Sequence, residues 1–295
     1  MNMQIRQDAA PTASPLVDFW NEILAPKLIK YQHILVGAGR RHSDQIMKSL
    51  DIQRGDHVLD VGCGFGDTTI DFGNLVQPNG KALGIDCCHA FLEQAREQAE
   101  LGWNPNAHFK YCDIETERPD GRFDAVFARF GTQFFANPVV GLRSMRQCLR
   151  PGGWMAHMVW RNRADNPWLT RSRQVVETIL PKPGENARTC GPGPFSMADE
   201  ETTRSQMTAA GYTDVQFKRV DAEVLVGRTL EEAIGFQLAI GPAGETFREA
   251  GQLGINRLDE IEAALTEMFS TVRRDDRGLW MDSSSWLITA RNPAQ

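Results

Sequence analysis

The chain has 295 residues and a formal net charge of −6 at pH 7. This net negative charge argues against a permanent binding surface for nucleic acids or anionic membranes. No uninterrupted apolar stretch approaches the ~20 residues that a membrane span needs. Six cysteines in a chain of this length do not form a disulfide framework. We therefore expect reduced thiols and a cytoplasmic protein without a membrane span.

Four regions follow one another along the chain. Residues 1–14 are polar, lack the apolar run of a signal peptide, and are expected to be disordered. Residues 15–50 carry helical apolar spacing, and Gly37-Ala38-Gly39 is expected to interrupt it, which predicts an N-terminal cap of two or three helices. Strands and helices alternate over 51–161, and we expect 162–295 to complete the sheet and add a helical lid.

The alternating region predicts a parallel sheet with helices on both faces, because strand–helix–strand connections are right-handed crossovers. Strands are predicted at 57–61, 81–85, 108–112, 123–129 and 154–160. Helices are predicted at 67–76, 89–101 and 137–149. The fold class is therefore α/β, with a Rossmann-like, mostly parallel sheet of seven strands.

The last part of the chain is less regular. Ser196 to Asp199 has the spacing of a capping box and predicts a helix start there. Strands are predicted at 215–226 and 280–291. The amphipathic helices between them, at 230–240 and 258–272, are expected to form a lid inserted between the final two strands.

A glycine-rich turn follows the first predicted strand. Gly62, Gly64 and Gly66 alternate with other residues, and a helical pattern starts directly afterwards. Such glycines allow positive φ and close approach of a ligand to bare main chain. Asp60, two residues before the turn, would repel a pyrophosphate but suits an amino group, which it would hold directly or through water. Its alternative role is to brace the loop. The turn therefore predicts a binding site for a nucleotide-like cofactor, and its spacing disfavours an NAD(P) oxidoreductase.

Two further strands end in carboxylates. Asp86 closes the second strand, 24 residues after Gly62, where it can accept both ribose hydroxyls. Its alternative role is that of a helix N-cap. Asp113 follows the third strand, flanked by Cys112 and Ile114, and is placed to meet an adenine edge. Its alternative role is that of a solvated loop carboxylate.

Together with the strand at 123–129 and the Leu149–Gly153 turn, these motifs resemble the class I S-adenosylmethionine-dependent methyltransferases. The resemblance is to the small-molecule branch that includes the ubiquinone/menaquinone C-methyltransferases, and it covers residues 51–160. It implies S-adenosylmethionine as cofactor and S-adenosylhomocysteine as product. Arg129 would present its backbone carbonyl to the methionine part, unless its guanidinium serves a structural ion pair. The implied cofactor-binding residues are Asp60, Gly62, Cys63, Gly64, Asp86, Cys87, Cys112, Asp113, Ile114 and Arg129.

The resemblance implies a small, partly apolar methyl acceptor, but no residue is predicted to be catalytic. Alignment of the acceptor with the methyl group is the main requirement, and a base is needed only if the acceptor loses a proton. His33 is the histidine we would test. Cys87-Cys88-His89 does not have zinc-ligand spacing, so no metal is expected. Candidate acceptor-pocket residues are Trp20, Tyr31, His33, Phe130, Gln133 and Trp160.

Two other functions remain open on the same fold. A nucleic-acid methyltransferase is disfavoured by the acidic charge, and Arg129-Phe130-Gly131-Thr132 stands where adenine N6 enzymes carry an Asn/Asp-Pro-Pro-aromatic segment. A non-enzymatic cofactor-binding protein is compatible with every motif above. Ser283-Ser284-Ser285 is either a polar rim of the acceptor pocket or a loop before the last strand.

Overall fold

The computed structural model describes residues 15–184, 187 and 189–294, so the tail expected at 1–14 lies outside it. Its centre is a single sheet of eight strands. The strands are β1 (His57–Val61), β2 (Lys81–Asp86), β3 (Ala107–Tyr111), β4 (Phe123–Arg129), β5 (Leu149–Trp160), β6 (Thr213–Gly227), β7 (Arg273–Asp275) and β8 (Gly278–Arg291). The expected seven-stranded sheet is confirmed, and the structure adds the short β7, which pairs with β8.

The strand order is β3-β2-β1-β4-β5-β8-β6. Strands β1 to β5 pair in parallel, whereas β8 runs antiparallel to β5 and β6. The order reverses at β1, which has β2 on one side and β4 on the other. Ligands of such sheets bind beyond the carboxyl ends of the strands at this reversal. The topology therefore places a site where β1, β2 and β4 end.

Helices cover both faces and extend past the sheet. The helices of the core and its connections are α4 (Asp67–Leu75), α5 (His89–Leu101), α6 (Pro138–Cys148), α7 (Pro167–Ile179) and α8 (Glu200–Ala209). The helices inserted between β6 and β7, called the insertion helices, are α9 (Leu230–Ala239), α10 (Gly241–Glu249), α11 (Gln252–Asn256) and α12 (Leu258–Ser270). Side chains of β1 and β4 such as Leu59 and Phe127 are fully buried between these layers.

The N-terminal helices are α1 (Pro15–Phe19), a π-helical turn (Trp20–Leu24), α2 (Ala25–Lys30) and α3 (Gln32–Ser43). The expected interruption at Gly37-Ala38-Gly39 is wrong, because α3 runs through it. A Cβ on Gly39 would lie 2.9 Å from Cζ of Arg129. Gly39 therefore serves the close approach of a side chain. The break in the helical pattern lies earlier, at Tyr31, which separates α2 from α3.

Two expectations about the C-terminal half are corrected. Helix α8 begins at Glu200, and Asp199 is its N-cap, with its carboxylate accepting a hydrogen bond from the Thr202 amide at 2.8 Å. The N-cap is therefore Asp199 and not Ser196, so the helix starts three residues later than the capping-box spacing indicated. Ser283, Ser284 and Ser285 are neither a loop nor a pocket rim, because they lie buried within β8.

Within the described part of the chain, no helix has the length and apolarity to cross a bilayer. The same residues contain no group of three or more His, Cys, Asp or Glu side chains placed to hold a metal ion.

Candidate active site

A cavity of about 380 Å³ opens at the carboxyl edge of the sheet, where the strand order reverses. Its walls come from three parts of the chain. The core contributes Gly62, Cys63, Gly64, Asp67, Asp86, Cys87, Cys112, Asp113, Ile114, Arg129 and Phe130. The N-terminal helices contribute Leu16, Trp20, Leu24, Leu28, Leu35 and Gly39. The C-terminal half contributes Trp160, Leu169, Cys190, Ile240, Pro242, Glu245 and Arg248.

The glycine turn leaves β1 with left-handed backbone at Gly62 (φ +66°) and Gly64 (φ +53°), a conformation that side chains with a Cβ rarely adopt. The amides of Gly62 and Cys63 both donate to the Ile85 carbonyl, at 2.8 and 3.0 Å, which fixes the turn against β2. A Cβ on Gly64 would meet no atom of the described part of the chain within 4 Å. The main chain is therefore bare at the cavity wall.

Asp86 ends β2 beside this turn. Its carboxylate accepts hydrogen bonds from the Gly64 amide and the Cys88 amide, each at 2.9 Å. Burial raises the pKa of Asp86 to about 6, against the lowering effect of these amide hydrogen bonds. The alternative N-cap role is wrong, because Cys88 is the N-cap of α5 and Asp86 lies two residues before it. Each carboxylate oxygen can accept more than one hydrogen bond, so Asp86 keeps acceptor capacity beyond these two amides.

Asp60 lies behind the turn and is not part of the cavity wall. One oxygen, Oδ2, accepts hydrogen bonds from the hydroxyls of Thr68 and Thr69, at 2.6 and 2.7 Å. The other, Oδ1, is buried and has no hydrogen-bond partner among the described residues. Burial raises the pKa of Asp60 to about 6. In this geometry Asp60 braces the start of α4.

Arg129 ends β4 and lines the cavity, but its guanidinium is occupied. It donates to Asp67 at 2.6 Å and to the Ser43 hydroxyl at 3.1 Å. Asp67 also lies 3.4 Å from Arg40, which reaches Asp71 at 3.1 Å. The structural ion pair considered for Arg129 is therefore present, and it joins α3 to the start of α4.

The predicted adenine-edge residues meet at the cavity wall. Cys112 and Ile114 are buried, and the Cys112 amide donates to the Asp86 carbonyl at 3.1 Å. Asp113 accepts a hydrogen bond from the Glu115 amide at 3.0 Å. Cys87 also lines the cavity, and burial raises the pKa of its thiol well above the ordinary range.

Three of the six candidate acceptor residues line the same cavity: Trp20, Phe130 and Trp160. The rings of Phe130 and Trp160 are stacked, with centroids 3.8 Å apart and planes at 8°. Phe130 has φ +59°, a strained conformation for a bulky residue. Its backbone is held by the hydrogen bond from its amide to the Met158 carbonyl at 2.8 Å.

The other three candidates lie outside the cavity wall. Tyr31 packs its ring against Phe236 of α9, with centroids 5.6 Å apart. His33 lies 2.9 Å from the Glu232 carboxylate. Gln133 is buried and accepts a hydrogen bond from the Trp160 amide at 3.1 Å. These side chains join elements to one another, and none of them faces the cavity.

Comparison with known proteins identifies this arrangement. A protein family described as a methyltransferase domain matches residues 58–153. The ubiquinone/menaquinone biosynthesis C-methyltransferase UbiE of Pseudomonas savastanoi pv. phaseolicola is 27% identical over 183 residues, which cover 59% of this chain and 72% of that protein. This chain is a class I S-adenosylmethionine-dependent methyltransferase that resembles UbiE.

A second sequence relative and a solved structure extend the comparison. UbiE of Cronobacter sakazakii is 29% identical to this chain over 175 residues, which cover 56% of this chain and 70% of UbiE. Phosphoethanolamine N-methyltransferase 2 of Haemonchus contortus, solved with S-adenosylmethionine, shares the fold with a TM-score of 0.56 and 15% identity. That alignment covers 96% of this chain and 61% of the Haemonchus chain.

The cavity wall fits the cofactor of this enzyme class. The open main chain at Gly64 and the carboxylate of Asp86 lie side by side, joined by a hydrogen bond of 2.9 Å. Nine of the ten cofactor residues expected from the sequence line the cavity, and Asp60 is the exception. The sequence reading missed Asp67, although an acidic residue in the first turn of a helix is a recognisable signal. It also missed Glu245 and Arg248, because no motif surrounds them.

Proposed function

We propose that this methyltransferase acts on a small, partly apolar acceptor at an oxygen, nitrogen or carbon atom, by in-line displacement. The supporting observation is the continuity of one cavity from the glycine turn to a mostly apolar compartment. That compartment is walled by the N-terminal helices and by residues of the C-terminal half. The names of the UbiE relatives favour carbon as the acceptor atom.

The roles of the residues follow from their positions. Asp86 would accept the ribose hydroxyls, and Asp113 would accept the adenine amino group. Asp60 would act on the amino group of the methionine part only through water, because it lies behind the turn. When bound, S-adenosylmethionine supplies a methyl group on a sulfonium, which is an activated leaving group. The protein's part is to align the acceptor and exclude water.

We further propose that three regions of the chain have different roles. Residues 15–50 cover the cavity, 51–161 hold the cofactor, and 162–295 complete the sheet and shape the acceptor compartment. The contributions of Leu16, Trp20, Leu169 and Ile240 to the cavity wall support this division.

The first test is a calorimetric titration of the purified protein with S-adenosylmethionine, S-adenosylhomocysteine and NADH. We expect micromolar binding of the first two and no binding of NADH. Transfer of a radiolabelled methyl group to a panel of small quinols, phenols and amines then tests the acceptor class. Binding of NADH alone, or transfer to oligonucleotides in place of small molecules, would overturn the proposal.

A further inference from the structure

Helix α10 places a carboxylate in the mostly apolar compartment of the cavity. Glu245 and Arg248 are three residues apart on this helix, and both line the cavity together with Pro242 at its start. Phe19 and Trp20 of the N-terminal helices belong to the same cavity wall. The compartment is therefore apolar except for a polar corner on α10.

Within the described residues, the carboxylate of Glu245 has no hydrogen-bond or ion-pair partner. The positive charges of Arg248 and Arg173 act to lower the pKa of this carboxylate. Each of them contacts a different carboxylate: Arg248 lies 2.9 Å from Glu249, and Arg173 lies 2.6 Å from Glu177. Partial burial raises the pKa of Glu245, as expected for a carboxylate without a directly bonded cation.

A partly buried carboxylate without a partner costs free energy, and a donor that reaches it recovers part of that cost. We propose that Glu245 determines acceptor specificity by accepting a hydrogen bond from an O–H or N–H group of the methyl acceptor. This inference rests on the proposed function, because it assigns the polar corner to the acceptor. Glu245 is thus a binding residue for the acceptor's polar end, while the apolar walls contact the rest of it.

The test compares three probes of nearly equal size on the protein saturated with S-adenosylhomocysteine. p-Cresol offers O–H, p-toluidine offers N–H, and 4-methylanisole offers no donor. We expect the wild type to bind p-cresol or p-toluidine at least about 10-fold more tightly than 4-methylanisole, since hydrogen bonds to charged groups have this magnitude. Glu245→Met is expected to remove that preference, and Glu245→Gln, which keeps an acceptor oxygen, to retain part of it.

The matched control is Glu262→Gln, because Glu262 is an exposed glutamate on insertion helix α12. This variant should bind all three probes like the wild type. All variants should bind S-adenosylhomocysteine with wild-type affinity, which shows that they are folded. Equal binding of the three probes by the wild type, no probe binding, or an unchanged preference in Glu245→Met would overturn the assignment of Glu245. If the wild type itself does not bind S-adenosylhomocysteine, the proposed function is wrong.

Discussion

At the scale of single residues, Asp86 provides the sharpest test of the cofactor site. Its carboxylate is fixed by the amides of Gly64 and Cys88 and faces the cavity. We expect Asp86→Ala to weaken S-adenosylmethionine binding by about 100-fold or more, because two charge-assisted hydrogen bonds to the ribose would be lost. Isothermal calorimetry measures this, and circular dichroism shows whether the variant is folded.

The same carboxylate predicts a pH dependence of binding. Because the pKa of Asp86 is raised to about 6, lowering the pH through this value protonates it and removes acceptor capacity. Affinity should therefore fall below pH 6 in the wild type, and Asp86→Asn should remove this slope. Asp120→Ala, at an exposed loop position, is the control and should leave affinity unchanged.

Unchanged affinity in Asp86→Ala would show that the ribose assignment is wrong.

At the scale of elements, helix α3 offers a pair of glycines with opposite surroundings. A Cβ on Gly39 would lie 2.9 Å from the Arg129 guanidinium, whereas a Cβ on Gly37 would meet no atom of residues 15–184, 187 and 189–294 within 4 Å. Gly37→Ala should stabilise the protein by about 0.5–1 kcal/mol with no change in cofactor affinity. Gly39→Ala should show less of this gain, and cofactor affinity should fall several-fold as Arg129 is displaced from Asp67.

Urea denaturation and calorimetry on both variants distinguish these effects. Identical stability and affinity in Gly37→Ala and Gly39→Ala would mean that the approach of Arg129 to α3 has no consequence for the site.

Across the molecule as a whole, His42 joins helix α3 to β8, the strand next to the β6 edge of the sheet. The Ser283 hydroxyl donates to the Ala222 carbonyl at 2.7 Å, so it accepts from Nε2 of His42 at 2.8 Å. The Ser285 hydroxyl can then donate to Nδ1 of His42, also at 2.8 Å. This network holds the neutral imidazole, and burial lowers the pKa of His42 to about 4.

The sign of the pH effect follows from that lowered pKa. Between about pH 4 and 6.5 the unfolded chain binds a proton at His42 that the folded chain does not, so this contribution to stability falls as the pH falls. We expect the stability difference between the wild type and His42→Gln, measured by urea denaturation, to shrink by about 2 kcal/mol from pH 8 to pH 5.

A difference that stays constant with pH would contradict this prediction. The comparison must be made against His42→Gln because other buried groups titrate as well. Burial lowers the pKa of His157 to about 3 and raises the pKa of Asp60 and Asp86 to about 6, and the two carboxyl groups act in the opposite direction.

The parts of this molecule that the sequence revealed are those encoded locally. The glycine turn and the carboxylates at strand ends were visible because backbone conformation and strand termination depend on neighbouring residues. The roles of Gly39 and His42 were not visible, since each depends on a partner far away in the chain, Arg129 and Ser283 respectively. Glu245 was missed for the same reason, because its position in the cavity wall depends on how the insertion helices pack.

The three-part wall of the cavity also has an evolutionary consequence. The matched family segment, residues 58–153, supplies the glycine turn and Asp86, whereas Trp20, Leu169 and Glu245 come from outside it. After a gene duplication, one copy can accumulate changes in these outer segments while selection preserves the inner one. New acceptors can then be gained without rebuilding the machinery that all copies share.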